Sequence, residues 1–230
     1  MKPLAILRPE PGASLSVARA ERMGFETIIR LPLFKVRPCD WTPPDADRFD
    51  AILLTSANAA RHAGEGLAAL KRLPVHAVGE ATAAAALAAG LMVDRVGEGG
   101  VDDLLDRLPP GQRLLHLSGR TRRQPTNDDH MIVPLAVYAS LERDTLEGIE
   151  RLEGSVACVH SPRAGERLAQ LVDAHGLERG TITIAANSET SAEACGAGWA
   201  RLGAAASPDD ATLLALAKRM CESGRDREEG

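Results

Sequence analysis

Aromatic residues are scarce: 3% of the 230-residue chain, with two Trp, three Phe and a single Tyr. Such a surface offers no stacking platform for bases. No basic run occurs, and the formal net charge is −5. Nothing therefore attracts a phosphate backbone, and no nucleic-acid partner is expected. Six histidines are present without HxxxH or HExxH spacing, so no metal site is expected. Neither GxGxxG nor GxxxxGK[ST] occurs, so a nucleotide cofactor has no motif to hold it. Ser56 and Ser161 lack the GxSxG setting of a hydrolase nucleophile. Four cysteines (Cys39, Cys158, Cys195 and Cys221) form no CxxC and read as reduced thiols. The longest apolar stretch, Ala81 to Val93, runs about thirteen residues, too short to cross a bilayer. LAIL before Arg8 is too short for a signal-peptide core. These features predict a cytoplasmic protein with no membrane partner.

What is present is the composition of an ordinary globular chain, 44% apolar and 26% charged. Hydrophobic spacing predicts strands or extended segments at 3–7, 27–36, 51–54, 74–78, 92–96, 113–117, 131–140, 156–159, 181–186 and 199–204. Helices are predicted at 14–23, 58–70, 82–89, 101–108, 146–152, 163–174, 188–194 and 211–220, the last capped by Ser207-Pro208-Asp209-Asp210. Residues 121–130 are polar without periodicity and read as a loop, and 222–230 as a disordered tail. Strands alternate with helices through short connections, the pattern of an α/β protein with parallel sheets.

The chain repeats itself. DAILLTSANAARHAGEGLAAL (50–70) matches SVACVHSPRAGERLAQLV (155–172), with Ser56 on Ser161. HAVGEATAAA (76–85) matches IAANSETSAE (184–193), with Gly79 on Asn187 and Thr82 on Thr190. DDLLDRL (102–108) matches DDATLLALAKRM (209–220), and LAILRPEP (4–11) matches LLHLSGRT (114–121). Two similar parallel-sheet lobes of flavodoxin or Rossmann type follow. The simplest arrangement has one discontinuous lobe, 1–30 plus 142–221, and one continuous lobe, 38–134. Segments 28–37 and 131–140 would join them as a two-stranded hinge, with a cleft between the lobes.

In open α/β sheets ligands bind outside the C-terminal strand ends. Four turns fall there. They carry Thr55, Ser56, Ala57 and Asn58; Gly79, Glu80 and Thr82; Ser161, Pro162 and Arg163; and Ser188 and Thr190. Each can be explained by helix capping alone. Their recurrence in both halves favours a set of N–H and hydroxyl donors suited to carboxylates. Arg8, Arg120 and Arg163 each follow a strand end, where a guanidinium can pair with a carboxylate. Tyr138, the single tyrosine, lies in the second hinge segment. A phenol is a weak acid, of unperturbed pKa about 10, that can hand a proton to a leaving hydroxyl.

Across about 220 residues the order and spacing of these motifs resemble the uroporphyrinogen-III synthase family. The resemblance rests on Arg8-Pro9, Gly24, PLF (32–34), DAILLTSAN (50–58), AVGEATA (77–83), Gly90, LHLSGR (115–120), Val137-Tyr138 and HSPR (160–163). It implies a cofactor-free enzyme of tetrapyrrole biosynthesis that closes linear hydroxymethylbilane into uroporphyrinogen III, with loss of water and inversion of ring D. It makes Tyr138 the acid for the leaving hydroxyl, and Ser56, Thr82 and their neighbours the holders of acetate and propionate groups. It implies a small-molecule polycarboxylate substrate, a monomer, and transient contact with the enzyme that makes hydroxymethylbilane. The sequence departs from the family at Asn187, where a glycine is usual, and at 121–131, short and polar where a helix is expected. A two-lobed binding or regulatory module of the same fold, without catalysis, is the competing reading.

Overall fold

The computed structural model describes residues 1–122, 124–144 and 146–222. The strands are β1 (Leu4–Ile6), β2 (Ile28–Arg30), β3 (Phe34–Pro38), β4 (Ala51–Leu54), β5 (Pro74–Val78), β6 (Met92–Gly97), β7 (Arg113–Gly119), β8 (Met131–Glu142), β9 (Val156–Val159), β10 (Thr183–Ala186) and β11 (Arg201–Ala204). The helices are α1 (Gly12–Arg22), α2 (Ala57–His62), α3 (Glu80–Ala88), α4 (Val101–Asp106), α5 (Pro162–Ala174), α6 (Glu189–Glu193) and α7 (Asp210–Glu222). The chain divides into two compact units. One comprises Met1–Lys35 with Glu142–Gly230, the other Val36–Leu141.

The first unit has a five-stranded sheet in the order β11-β10-β9-β1-β2. Its strands pair in parallel, β11 with β10, β10 with β9, β9 with β1 and β1 with β2. β1 is the seam: Leu4, Ala5 and Ile6 are fully buried, pairing with β2 on one side and β9 on the other. Parallel strands are buried on both faces, which is why these read as unbroken apolar runs. One face packs on α5 and α6 through Leu168, Leu171, Val172 and Ala192. The other packs on α1 and α7 through Ala13, Val17, Leu213 and Leu214.

The second unit has the order β3-β8-β7-β4-β5-β6, and β4, β5, β6, β7 and β8 pair in parallel. Counted from β4, the strands β4 to β8 run in the order 3-2-1-4-5. Counted from β9 and continuing through β1 and β2, the first unit runs in the same order. The matched motifs thus occupy matched positions, with the chain entering the two sheets at different strands. The coverage differs. One face of the second sheet carries α2 and α3 over Ile52, Leu54, Leu115 and Leu117. The other has, among the described residues, only α4, over Ala51, Leu53 and Leu114, because no helix is described between β7 and β8.

Two helices expected from the pattern shorten. The segment expected to be one helix over 58–70 is α2 followed by a 3-10 helix at Gly64–Leu70. Gly64 takes φ +67°, a left-handed conformation that ends an α-helix and that glycine adopts without cost. Trp41 then lies against Gly66, where a Cβ would sit 2.6 Å from its ring. The helix expected at 146–152 is a 3-10 turn, Ile149–Leu152, following Gly148 at φ +81°. The extended segment at 181–186 begins with a 3-10 turn, and its strand starts at Thr183. In the last helix it is Asp209 that caps, accepting from the N–H groups of Ala211 and Thr212. The tail expected at 222–230 lies, beyond Glu222, outside the described residues.

Close packing of α5 on α6 requires Gly165. A Cβ there would lie 2.8 Å from Cys195 Sγ and 2.9 Å from the Ser191 carbonyl oxygen. Gly165→Ala is expected to lower stability by about 1–3 kcal/mol, read by urea unfolding. Unchanged stability would mean that the two helices separate freely.

Candidate active site

In each sheet the strand order turns back at one place, between β4 and β7 in the second unit and between β9 and β1 in the first. The C-terminal ends there carry Thr55, Ser56, Gly119 and Arg120 in one unit, and His160, Ser161 and Arg8 in the other.

In the second unit, Ser56 is the N-cap of α2, its Oγ accepting from the Asn58 N–H at 3.2 Å. Ala57 opens the helix, and Asn58 Oδ1 is buried without a hydrogen-bond partner. Thr55 Oγ1 lies 2.9 Å from His116 Nε2. Burial first, and then the charge of Arg122, push His116 down to about 4, so its ring is neutral at pH 7. Gly79 caps α3 at φ +82°, and its N–H donates to the Gly97 carbonyl at 2.7 Å. Glu80 is exposed, whereas Thr82 is buried among the α3 side chains.

Tyr138, half-buried on β8, pairs with Gly119 across an irregularity in the β7–β8 register. A Cβ on Gly119 would fall 2.9–3.0 Å from Tyr138 Cζ, Cε2 and the phenol oxygen. The ring therefore lies on bare backbone, where only glycine fits. Among the described residues the phenol oxygen makes no hydrogen bond. The His62 ring stands 6.4 Å away, centroid to centroid, with its pKa lowered by burial and then by Arg61. Arg120 donates its backbone N–H to the Tyr138 carbonyl at 2.8 Å, and its side chain reaches Cys39 Sγ at 3.7 Å.

In the first unit, Ser161 caps α5, accepting from the Ala164 N–H at 3.2 Å, with Pro162 at the first helical position. Arg163 stacks on Phe34 at 4.6 Å and pairs with Glu142 at 3.1 Å. Ser188 caps α6 and bonds within its own turn to Thr190 and Ser191. Asn187, in the place of Gly79, keeps a negative φ. Its amide donates to the His160 carbonyl at 2.9 Å.

Arg8 belongs to a cluster centred on Asp210. The Asp210 Oδ1 accepts from Ser16 Oγ at 2.6 Å, His160 Nε2 at 3.0 Å and Arg8 Nη1 at 3.4 Å, and Oδ2 accepts from Arg19 Nη1 at 2.7 Å. Gly12 lets the Arg8 side chain lie against the backbone, since a Cβ there would sit 2.4 Å from Arg8 Nε. Burial pushes Asp210 up, but hydrogen bonds from His160 and Ser16 and the charges facing it outweigh burial and hold it at about 2. Burial lowers His160, which is neutral at pH 7 and donates Nε2–H. Two guanidinium groups then face one carboxylate, leaving one positive charge in excess.

Ser16, Arg19, His160 and Asp210 were not expected from the sequence, which read Asp210 only as a helix cap. The HSPR and SPDD motifs held a signal, since a His and a second Asp exceed what capping needs. Among the described residues no group of three or more His, Cys, Asp or Glu is placed to hold a metal ion.

The family model for uroporphyrinogen-III synthase HemD matches residues 15–215. The chain belongs to this family. Its activity is accordingly that of a cyclising lyase, which closes linear hydroxymethylbilane to uroporphyrinogen III. A crystal structure of uroporphyrinogen-III synthetase from Helicobacter pylori 26695 is similar at TM-score 0.65 and 17% identity, covering 96% of this chain and 100% of that one. A mutant uroporphyrinogen III synthase from Thermus thermophilus is similar at TM-score 0.55 and 20% identity, covering 97% and 100%. At these identities the likeness concerns the fold. No curated protein matches the sequence.

The folded Asp210 pKa of about 2 lies below its ordinary value of 3.8. The associated stabilisation, about 2 kcal/mol, is therefore complete above the unfolded value and is lost as pH falls through the folded one. Asp210→Asn is expected to be less stable than wild type at pH 7, with the gap narrowing between pH 4 and 2. Urea unfolding across that range measures it, and a gap independent of pH would contradict the assignment.

Proposed function

We propose that Tyr138 is the proton donor of the synthase reaction and that the strand-end turns of both units take the substrate's carboxylates. The Tyr138 hydroxyl protonates the ring A hydroxymethyl group, which leaves as water, and an azafulvene cation remains. Ring D attacks through its substituted carbon to give a spiro intermediate. Fragmentation and reclosure invert ring D, and the proton released as the final pyrrole regains aromaticity returns to the tyrosinate. The remaining task is to hold the reacting carbons close, which is positioning.

The observation that carries this reading is the phenol lying on bare Gly119 backbone, its hydroxyl uncommitted to any described partner. The excess positive charge around Arg8 supports carboxylate binding in the first unit. The turns that carry Ser56, Ala57, Asn58, Gly79, Glu80, Ser161, Pro162, Ser188 and Thr190 support it through the positive ends of the helices they open. Arg120, Arg163 and Thr55 complete the proposed set, and Thr82 contributes by packing its turn from within. We further infer a cytoplasmic monomer that receives its substrate in transient contact with the enzyme that makes it. Three buried free cysteines support the compartment.

Tyr138→Phe is expected to lower kcat by about 100-fold or more, with the unfolding midpoint unchanged. Gly119→Ala, which moves the ring without removing it, should lower kcat in the same direction. Wild-type turnover by Tyr138→Phe would remove Tyr138 from the chemistry.

A further inference from the structure

The thinly covered face of the second sheet holds a cavity of about 300 Å3. His116, Arg122, Gln124, Asn127, His130 and Pro134 line it. It occupies the place where a helix is missing. In the first unit, β1 is followed by α1, whose Ala13, Val17 and Ala20 cover Ile6. In the repeat, His116 falls on Ile6, and β7 is followed by no helix. His116 is 1% exposed and His130 8%, so two imidazoles are buried here, and His116 stands where the sister unit has the apolar Ile6.

A gap left by a lost helix is filled most cheaply by apolar side chains. Pro125, Ile132 and Pro134 form the apolar part of the wall, but the other five lining residues are polar and their hydrogen bonding is incomplete. His130 directs Nε2 at the Leu105 carbonyl, 3.1 Å away, and its Nδ1 is buried without a partner. Arg122 is half-buried, and among the described residues no carboxylate pairs with it. The neighbouring acids are engaged elsewhere. Asp102 accepts the N–H groups of Thr126 and Asn127, and Asp106 accepts the Asn127 amide. Among the described residues, Arg122 is thus the one charged group lining the cavity. A half-buried guanidinium beside the neutral His116 imidazole, a second imidazole and a carboxamide suits an oxyanion.

We propose that this cavity binds a small oxyanion, a carboxylate or a phosphate, at a site separate from the substrate turns. The volume lies at the small end of ligand pockets, of about 300–1,000 Å3, enough for a compact diacid or phosphate. The His116–Thr55 hydrogen bond joins the cavity wall to the turn after β4. The proposal does not depend on the role given to Tyr138.

The test is a titration of the full chain with inorganic phosphate and with malonate, followed by amide and imidazole NMR shifts. Saturable shifts at residues 116, 122, 124, 127 and 130, weakened about tenfold or more in Arg122→Gln, are expected. The probe that binds more tightly identifies the oxyanion. Absence of saturation with both probes, or equal binding by Arg122→Gln, would overturn the proposal. Steady-state kinetics with hydroxymethylbilane separate the sources. An unchanged KM at saturating probe supports a distinct site. Competition that disappears in Arg122→Gln would assign the cavity to a substrate carboxylate and overturn the separate site.

Discussion

The structure depends on the parallel pairing of β1. Three residues, all fully buried, join β2 to β9 across more than a hundred intervening residues. A parallel strand cannot be closed by a tight turn; it needs a crossover. Here the chain leaves the first sheet after β2, builds the whole second unit, and returns to place β9 beside β1. That pairing creates the point where the strand order turns back, and hence sets Arg8 beside His160 and Asp210. The second unit makes the same turning point without interruption, from β4 and β7.

Much of this was readable from the sequence because its signals are local or repeated. Apolar runs of four mark doubly buried strands, and AILL and VACV appear as β4 and β9 at the expected residues. The match of LAILRPEP to LLHLSGRT, far out of order with the other repeats, anticipated the shared strand order of the two sheets. The capping motifs at Ser56 and Ser161 formed as their residue types dictate. The expected helix at 58–70 failed because Gly64 at positive φ outweighed the helix propensity of the Leu67-Ala68-Ala69-Leu70 run that follows.

The electrostatics were less readable because they join distant residues. Arg8 and Asp210 lie 202 positions apart, and His160 and Asp210 lie 50 apart. No spacing rule connects them, and SPDD looks the same whether its second aspartate caps a helix or anchors two arginines. Gly119 was hidden for another reason: its role is to have no side chain where Tyr138 lies. The polar segment after β7 was visible as a departure from the repeat, but only the fold shows that the departure leaves a lined cavity rather than a collapsed surface.

The central claim is that this chain directs the closure of hydroxymethylbilane and does not merely bind a tetrapyrrole. Uncatalysed closure proceeds without inversion and gives the type I isomer. The most direct measurement supplies hydroxymethylbilane, oxidises the product and separates the porphyrin isomers. The account predicts type III as the main product, in proportion to enzyme added. A ratio of type I to type III equal to that of the enzyme-free blank would contradict it.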